Sequence, residues 1–256
     1  MTLIEELKIF VKTILHWIYS FIGFSLFFFI FGLKKVIFFG KNLFLPIPSE
    51  DSFSVQVFNR IRIDLLPKDV QLIVTNPMSA FLTQLLLAIL LGFLFTFPLF
   101  LYRLIIYLQP ALRPHEKRAL MWSLLPLVFL FILGSIFSYL FLIPATFDIL
   151  YPYATSMGIV PFFSLDEFIY YVLLLIVASG IMFLLPIFMV LLSFIGIIKA
   201  EFWINHWKGS LLFFLIVCAI ITPDQTGITM VMLFLPLALL YFIGYYFANK
   251  LSRSNY

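Results

Sequence analysis

The chain has 256 residues, of which 64% are hydrophobic and only 11% are charged, and its mean hydropathy is +1.14. A soluble domain of this length has too little interior to bury so much apolar surface, so the composition indicates an integral membrane protein. The net charge of +4 does not indicate nucleic-acid binding, because the basic residues cluster at the ends of apolar segments. A single cysteine, Cys218, excludes an internal disulfide framework, and three scattered histidines give no spacing typical of a metal site. We therefore expect neither a metal nor another cofactor.

The first twelve residues, MTLIEELKIFVK, form an amphipathic pattern. Leu3, Leu7 and Phe10 recur at helical spacing, and the acidic and basic residues lie on the other side. The pattern predicts an interfacial helix over residues 1–12 that leads into the first membrane span.

Apolar segments follow at lengths that suit a bilayer, whose core is about 30 Å thick and needs about 20 apolar residues per helix. They predict six membrane-spanning helices, over 13–33, 80–107, 121–147, 168–198, 208–221 and 228–248. The fifth is the shortest, because Lys208 and the Thr222-Pro223 pair bound it closely, and a short helix thins the bilayer or leaves a recess. We predict an all-α integral membrane protein, a single polytopic domain over 1–256, with short fifth and sixth helices.

The segment 34–79 is the largest piece outside the predicted spans, and we expect it to form an extracytoplasmic cap between helices 1 and 2. Its stretch FSVQVFNRIRID is compatible either with a short strand or with a helix on the outer leaflet. Ten Lys and Arg residues fall on the side of the two termini and six on the opposite side, which places both termini in the cytoplasm. On this orientation the segment 108–120 is a cytoplasmic loop.

That cytoplasmic segment, LQPALRPHEKRAL, concentrates charge in a chain that has little. One carboxylate, Glu116, lies among basic residues between two long apolar runs. Taken alone, this pattern is typical of a solvated loop charge beside lipid-anchoring bases. Within the second span, the amide of Gln84 is expected to hydrogen-bond a neighbouring helix.

Residues 75–120, TNPMSAFLTQLLLAILLGFLFTFPLFLYRLIIYLQPALRPHEKRAL, resemble the TatC family, the receptor subunit of the twin-arginine protein translocase. The residues that match the family pattern in this stretch are Pro77, Phe81, Pro98, Tyr102, Pro110, Ala111, Leu112, His115 and Glu116. Further matches, in order along the chain, are Glu6-Leu7-Lys8, then Gly134, Phe137, Tyr139 and Pro144, then Thr222-Pro223-Asp224. The chain departs from the family at Leu184, where members commonly carry an intramembrane Glu.

The resemblance implies a subunit without catalytic residues that recognises Arg-Arg signal peptides and exports folded proteins. It implies single-span TatA- or TatB-like partners, a homo-oligomeric complex, contact with membrane lipids, and no nucleic acid. A prokaryotic plasma membrane is the expected location, with an organelle inner membrane or thylakoid as the other possibility.

The resemblance also implies roles for individual residues. Those implied to bind the signal peptide are Glu116, Glu6, Tyr107, His115 and Lys8, of which the two carboxylates pair with the arginines. Those implied to contact a partner helix are Thr222, Pro223 and Asp224. Those implied to have structural roles are Pro98, Pro110, Gly134, Phe137, Tyr139 and Pro144.

Two other classes of function were weighed against this interpretation. A small-molecule or ion permease, the main alternative, predicts ionisable groups at mid-membrane, and spans two to six contain almost none. An intramembrane enzyme needs a Ser/His or paired-Asp arrangement, and no His or Asp lies deep in adjacent spans.

Overall fold

The computed structural model describes residues 3–38, 41–66, 70–156, 158, 162–222 and 227–254. Its helices are α1 Leu3–Ile30, α2 Phe53–Leu65, α3 Ser79–Leu108, α4 Pro114–Trp122, α5 Leu124–Phe137, α6 Ile143–Ser156, α7 Leu165–Met182, α8 Leu185–Phe194, α9 Ala200–Asn205, α10 Trp207–Ile221 and α11 Ile228–Ser254. Its strands are β1 Phe31–Phe38, β2 Lys41–Pro48, β3 Gln71–Ile73 and β4 Phe162–Ser164. The prediction of a helical membrane protein is confirmed, and the strands lie between the long apolar helices.

Five helical segments are long and apolar enough to cross a membrane, and each overlaps a predicted span. They are Phe10–Ile30, Ser79–Leu108, Glu116–Pro152, Leu165–Phe194 and Ile228–Leu251. The remaining predicted span, the fifth (208–221), corresponds to α10, which is apolar but shorter. The number of crossings therefore stays at the predicted six only if α10 also spans the bilayer.

The two helices expected to be short differ in length. With 15 residues, α10 is about 22 Å long, well below the thickness of the hydrocarbon core. It ends where Thr222 takes an extended backbone, as residues before proline commonly do. The last helix, α11, has 27 residues, so the prediction of a short sixth helix is wrong. Pro236 lies inside α11 and does not end the helix.

The chain forms two compact units. Unit 1 comprises Met1–Arg103 and Tyr151–Leu173, and unit 2 comprises Leu104–Leu150 and Leu174–Tyr256.

In unit 1, α1 and α3 pack through aromatic rings and one close backbone approach. The ring of Trp17 lies 4.9 Å from that of Phe100 and 6.5 Å from that of Phe93. Next to Phe93, the two helices come so close that a Cβ on Gly92 would overlap the hydroxyl of Ser25. Because α1 runs unbroken from Leu3, the predicted interfacial helix and the first span are one helix.

The predicted cap of 34–79 contains both a hairpin and a helix. Strands β1 and β2 pair antiparallel in a register from Phe31↔Pro48 to Phe38↔Lys41, a hairpin that sequence analysis did not predict. The stretch FSVQVFNRIRID, left open between strand and helix, forms α2, which buries Ser54, Ile61 and Leu65. Strand β3 pairs in parallel with β4, which ties the chain before α3 to the chain before α7.

In unit 2, α5 and the second half of α7 cross at small residues. A Cβ on Gly134 would lie 2.6 Å from the carbonyl oxygen of Ser179, and one on Gly180 would lie 2.7 Å from the ring of Phe131. Such close approach is typical of helices that associate within a bilayer, where packing and not the hydrophobic effect drives contact. Just beyond Gly134, the ring of Phe137 lies 5.6 Å from that of Phe183.

The third predicted span contains a widened π-helical turn over Ser138–Leu142, which includes Tyr139. Pro144 follows immediately and has no N–H to offer the carbonyl of Leu140. A π-turn accommodates such a mismatch without ending the helix, since the hydrogen bonds shift by one residue.

The fourth predicted span is broken between α7 and α8. Pro186, in the first turn of α8, lacks the N–H that would continue the helix, and Phe183 and Leu184 are buried at the break. Where family members commonly carry a glutamate, this chain therefore buries a leucine. Beyond the break, α8 packs along α11, and a Cβ on Gly244 would lie 2.8 Å from the Cα of Pro186.

Candidate functional site

The Glu116 carboxylate belongs to the first turn of α4, in unit 2. Arg113 is the N-cap with an extended backbone, Pro114 is the first helical residue, and Glu116 is the third. One carboxylate oxygen accepts a hydrogen bond of 2.8 Å from the backbone N–H of Arg113. This bond is the glutamate half of a capping box, and it satisfies an N–H that the helix leaves without an internal partner. A guanidinium has no acceptor, so the Arg113 side chain does not complete the box.

The surroundings of Glu116 differ from those of its charged neighbours. Glu116 is only 8% exposed, whereas Arg113 and Arg118 are exposed and Lys117 is half-buried. The helix that carries it packs against α5 and α8. Taken alone, the charge pattern of 108–120 is typical of a solvated loop charge, and the burial of Glu116 differs from that interpretation. A short 3-10 turn with Pro110 in it and then α4 occupy most of that segment.

This arrangement suits the recognition of a guanidinium. A carboxylate has about four acceptor positions, and the bond to the Arg113 N–H occupies one of them. Guanidinium groups pair with carboxylates through two parallel hydrogen bonds, which makes such a site selective for shape as well as charge. The N-terminus of a helix also favours a negative charge.

Two further residues implied to bind the signal peptide lie in the same unit. Tyr107 is half-buried in the last turn of α3, a few residues before α4 begins. His115 is the second residue of α4, and its side chain lies outside what the structure describes. Their participation in a binding site stays a prediction.

The remaining two lie in unit 1. Glu6 and Lys8 fall in the first turns of α1. The Lys8 side chain is exposed, and that of Glu6 lies outside the described part of the structure. That Glu6 and Glu116 act on the same ligand therefore stays a prediction.

Of the residues implied to contact a partner helix, only Thr222 lies in a described part of the chain. It is buried at the end of α10, and its hydroxyl donates a hydrogen bond of 2.9 Å to the carbonyl of Cys218. Pro223 and Asp224 lie outside the described residues.

Sequence analysis missed the partner of Glu116, although the signal was present. A proline followed two residues later by a glutamate, just before an apolar run, is typical of a helix N-terminus. Among the described residues, no group of three or more His, Cys, Asp or Glu side chains is arranged to hold a metal.

The fold and the charged helix start together define a helical membrane protein with several apolar spans. Two crystal structures share this fold over almost their whole length. The structure of the twin-arginine translocase receptor TatC matches with a TM-score of 0.77 and 28% identity, covering 97% of this chain and 99% of that one. A second structure of that receptor, in the detergent DDM, matches with a TM-score of 0.76 and 29% identity, covering 94% and 98%.

Sequence comparison gives the same result. The family model of the Sec-independent protein translocase protein TatC matches residues 5–236. The TatC protein of Cenarchaeum symbiosum (strain A) is 35% identical over 84% of this chain and 82% of its own length. The TatC protein of Aquifex aeolicus (strain VF5) is 32% identical over 79% and 85% respectively. The chain belongs to the TatC family, and it is a membrane-embedded subunit of the Sec-independent protein translocase.

Proposed function

We propose that this chain recognises signal peptides that carry an Arg-Arg pair, and that Glu116 is the group that selects the arginines. The observation that supports this most strongly is the almost buried Glu116 carboxylate, held by the backbone at the start of α4. The two similar crystal structures are described as twin-arginine translocase receptors, and we extend that role to this chain. Family membership also favours an export subunit over the permease alternative.

The chemistry of the two basic side chains explains why arginine is preferred. A lysine ammonium is a point charge, whereas a guanidinium is planar and fits both oxygens of a carboxylate. Replacing the arginine pair by lysines keeps the charge and loses this fit. The exposed Arg113 and Arg118 anchor α4 to lipid phosphates.

Ion pairing alone is too weak to hold the peptide. One arginine–carboxylate pair contributes from about 1 kcal/mol when exposed to about 3 kcal/mol when its hydrogen bonds are buried, so two pairs supply about 2–6 kcal/mol. Micromolar binding requires about 8 kcal/mol. The apolar helix of the signal supplies the rest by packing against the membrane spans, so Glu116 and Glu6 select the ligand and apolar contact retains it.

Recruitment of single-span TatA- or TatB-like partners is assigned to the region of α10 and Thr222. Four large apolar residues of α10 are well exposed along its length: Leu212, Phe213, Ile216 and Ile220. Ile220, two residues before Thr222, is 77% exposed. A helix this short presents an apolar face that a partner span can cover, with Pro223 and Asp224 next to its end.

The orientation and assembly follow the charge distribution and the family. Both termini lie in the cytoplasm, which puts Lys8 and α4 on the side from which signal peptides arrive. The complex is homo-oligomeric and resides in a prokaryotic plasma membrane.

The decisive experiment replaces Glu116 by Gln. The amide oxygen still accepts the Arg113 N–H, because glutamine also forms capping boxes, so the charge is lost and the cap is kept. Binding of an Arg-Arg signal peptide to the purified protein is expected to weaken about tenfold, the difference between a charged and a neutral partner. Binding of the Lys-Lys version of the peptide is expected to change little.

Glu201→Gln is the matched control, since Glu201 also lies in the first turn of a helix and is exposed. It is expected to bind both peptides as the original protein does. Unchanged affinity of Glu116→Gln for the Arg-Arg peptide contradicts the proposal. A protein that no longer folds on Glu116→Gln substitution shows instead that the negative charge of Glu116 stabilises the fold, which is a structural role.

A further inference from the structure

Tyr241 is the centre of a buried polar network in unit 2 that the proposed function does not use. The tyrosine is 1% exposed, and its hydroxyl donates a hydrogen bond of 2.5 Å to the carbonyl of Trp203, in α9. The Oγ of Ser210, in α10, lies 3.3 Å from the same hydroxyl. The indole N–H of Trp203 in turn donates to the Oγ of Ser193, in the last turn of α8, at 2.9 Å. Four helices of unit 2 are thus joined by four side chains.

Helix α8, whose last turn carries Ser193, is not continuous with α7, the helix before it. Regular helical hydrogen bonding is interrupted where α7 meets α8, because Leu184 bonds back to Ile181 in a tightened turn and Pro186 has no N–H, so α7 alone does not fix the direction of α8. Contacts at the two ends of α8 determine its position. Pro186 and Met189 pack against Gly244, one turn after Tyr241 on α11, and Ser193 is held through Trp203.

The same helix supports the candidate binding site, because α8 packs against α4, which carries Glu116. A shift of α8 therefore moves the surface on which α4 lies. In an apolar interior a satisfied polar network is rigid, since breaking one bond leaves polar atoms without water to replace it.

We infer that Tyr241 is a positioning residue for Glu116: its hydroxyl holds α9 and the end of α8 in place, and α8 holds α4. The inference rests on the proposed function, because it treats Glu116 as the group that binds the arginine pair. The aromatic ring of Tyr241 fills space among its neighbours, so the positioning role belongs to the hydroxyl and is separable from packing.

The experiment replaces Tyr241 by Phe, which keeps the ring and removes only the hydroxyl. Two quantities are measured on the purified full-length protein: affinity for an Arg-Arg peptide, and dipolar broadening between spin labels on α4 and α8. The labels are attached at Met121→Cys and Phe188→Cys, both exposed positions of unit 2, in a Cys218→Ala background. Tyr241→Phe is expected to weaken Arg-Arg peptide binding about fivefold, the effect of one modest hydrogen bond, and to widen the distribution of label distances.

Tyr246→Phe is the matched control, since Tyr246 lies on the same helix and is 60% exposed. It is expected to change neither quantity. Ser193→Ala also removes a single oxygen atom, at the other end of the network, and it takes the place of Tyr241→Phe, with the same expected effects, if that variant does not fold.

The outcomes separate this inference from the proposed function. A lower thermal midpoint with unchanged peptide affinity and label distances overturns the inference, because the network then only stabilises the fold. If Glu116→Gln weakens Arg-Arg binding and neither network variant does, the inference falls and the proposed function stands. If Glu116→Gln has no effect, the proposed function falls, and the inference falls with it.

Discussion

Among the residues that the structure describes, each unit contains a polar network that is at least partly buried, and the two networks stabilise different features. In unit 1, the end of α1 leaves carbonyl groups without partners inside the helix. Ser54 donates to the carbonyl of Phe28 at 3.2 Å, and Gln84 donates to that of Phe29 at 3.4 Å. The backbone N–H of Ser49 donates to the carbonyl of Ile30 at 3.2 Å. Three segments of the chain thus complete one helix end.

In unit 2, the network around Tyr241 joins several short helices and not the end of a long one. Its acceptor is the carbonyl of Trp203 in the six-residue helix α9, which is too short to be stable without outside contacts. The comparison shows two uses of the same chemistry. One network closes a helix where it leaves the apolar region, and the other holds together a region where helices are interrupted.

The close helix crossings of the two units also differ from each other, and substitutions at them are expected to have the largest effect on stability. Gly134→Ala in unit 2 is expected to destabilise the protein by about 3 kcal/mol, since its Cβ meets the backbone oxygen of Ser179, which has little room to move. Gly92→Ala in unit 1 is expected to have a smaller effect, because the severe overlap is with the Ser25 hydroxyl, which can rotate, and the nearest backbone atoms of Ser25 lie 3.0 Å away, against 2.6 Å for the Ser179 carbonyl oxygen. Thermal unfolding of the detergent-solubilised variants measures both. Equal losses from the two substitutions contradict the distinction between the crossings.

The network in unit 1 is tested by replacing Gln84. Gln84→Leu is expected to destabilise the protein by about 1–2 kcal/mol, because it removes the donor to the Phe29 carbonyl and to the Oγ of Ser52. Gln84→Lys retains a donor and is expected to lose less. Thermal midpoints again provide the measurement. If leucine is as stable as glutamine here, the end of α1 does not depend on this amide.

These two networks also show what the sequence made predictable. Gln84 is one of few polar residues in an apolar span, so its hydrogen bond to a neighbouring helix was predicted and is confirmed. Tyr241 was not singled out, because the chain has 12 tyrosines and an aromatic residue near a membrane boundary is usually an anchor. Which tyrosine is buried depends on how distant segments pack, and no local pattern encodes that.

The apolar helices were also more predictable from the sequence than the candidate site. Helix positions follow from local apolar runs, and so the predicted spans agree with the structure. The hairpin of β1 and β2 was missed because Lys34 and Lys35 mark the end of the apolar span but do not show strand pairing, which joins residues as distant along the chain as Phe31 and Pro48. Glu116 was identified by its resemblance to the family, but its burial was not expected, because burial depends on the packing of α4 against α5 and α8.

The smallest expected effect on stability is that of Gly23→Ala, which has the opposite sign and serves as a reference for the other glycine substitutions. A Cβ on Gly23, in α1, has no atom within 4 Å, so Gly23→Ala meets no neighbour within the described structure. Alanine favours a helix over glycine by about 0.8–1 kcal/mol in water, so the substitution is expected to leave the thermal midpoint unchanged or to raise it slightly. The contrast with Gly92, in the same unit, separates the effect of contact from that of helix propensity. A loss of thermal stability on Gly23→Ala as large as that on Gly92→Ala contradicts this expectation. It shows that the face of α1 at Gly23 is covered in the assembled complex, and that the close approach to Ser25 is not what makes Gly92 sensitive.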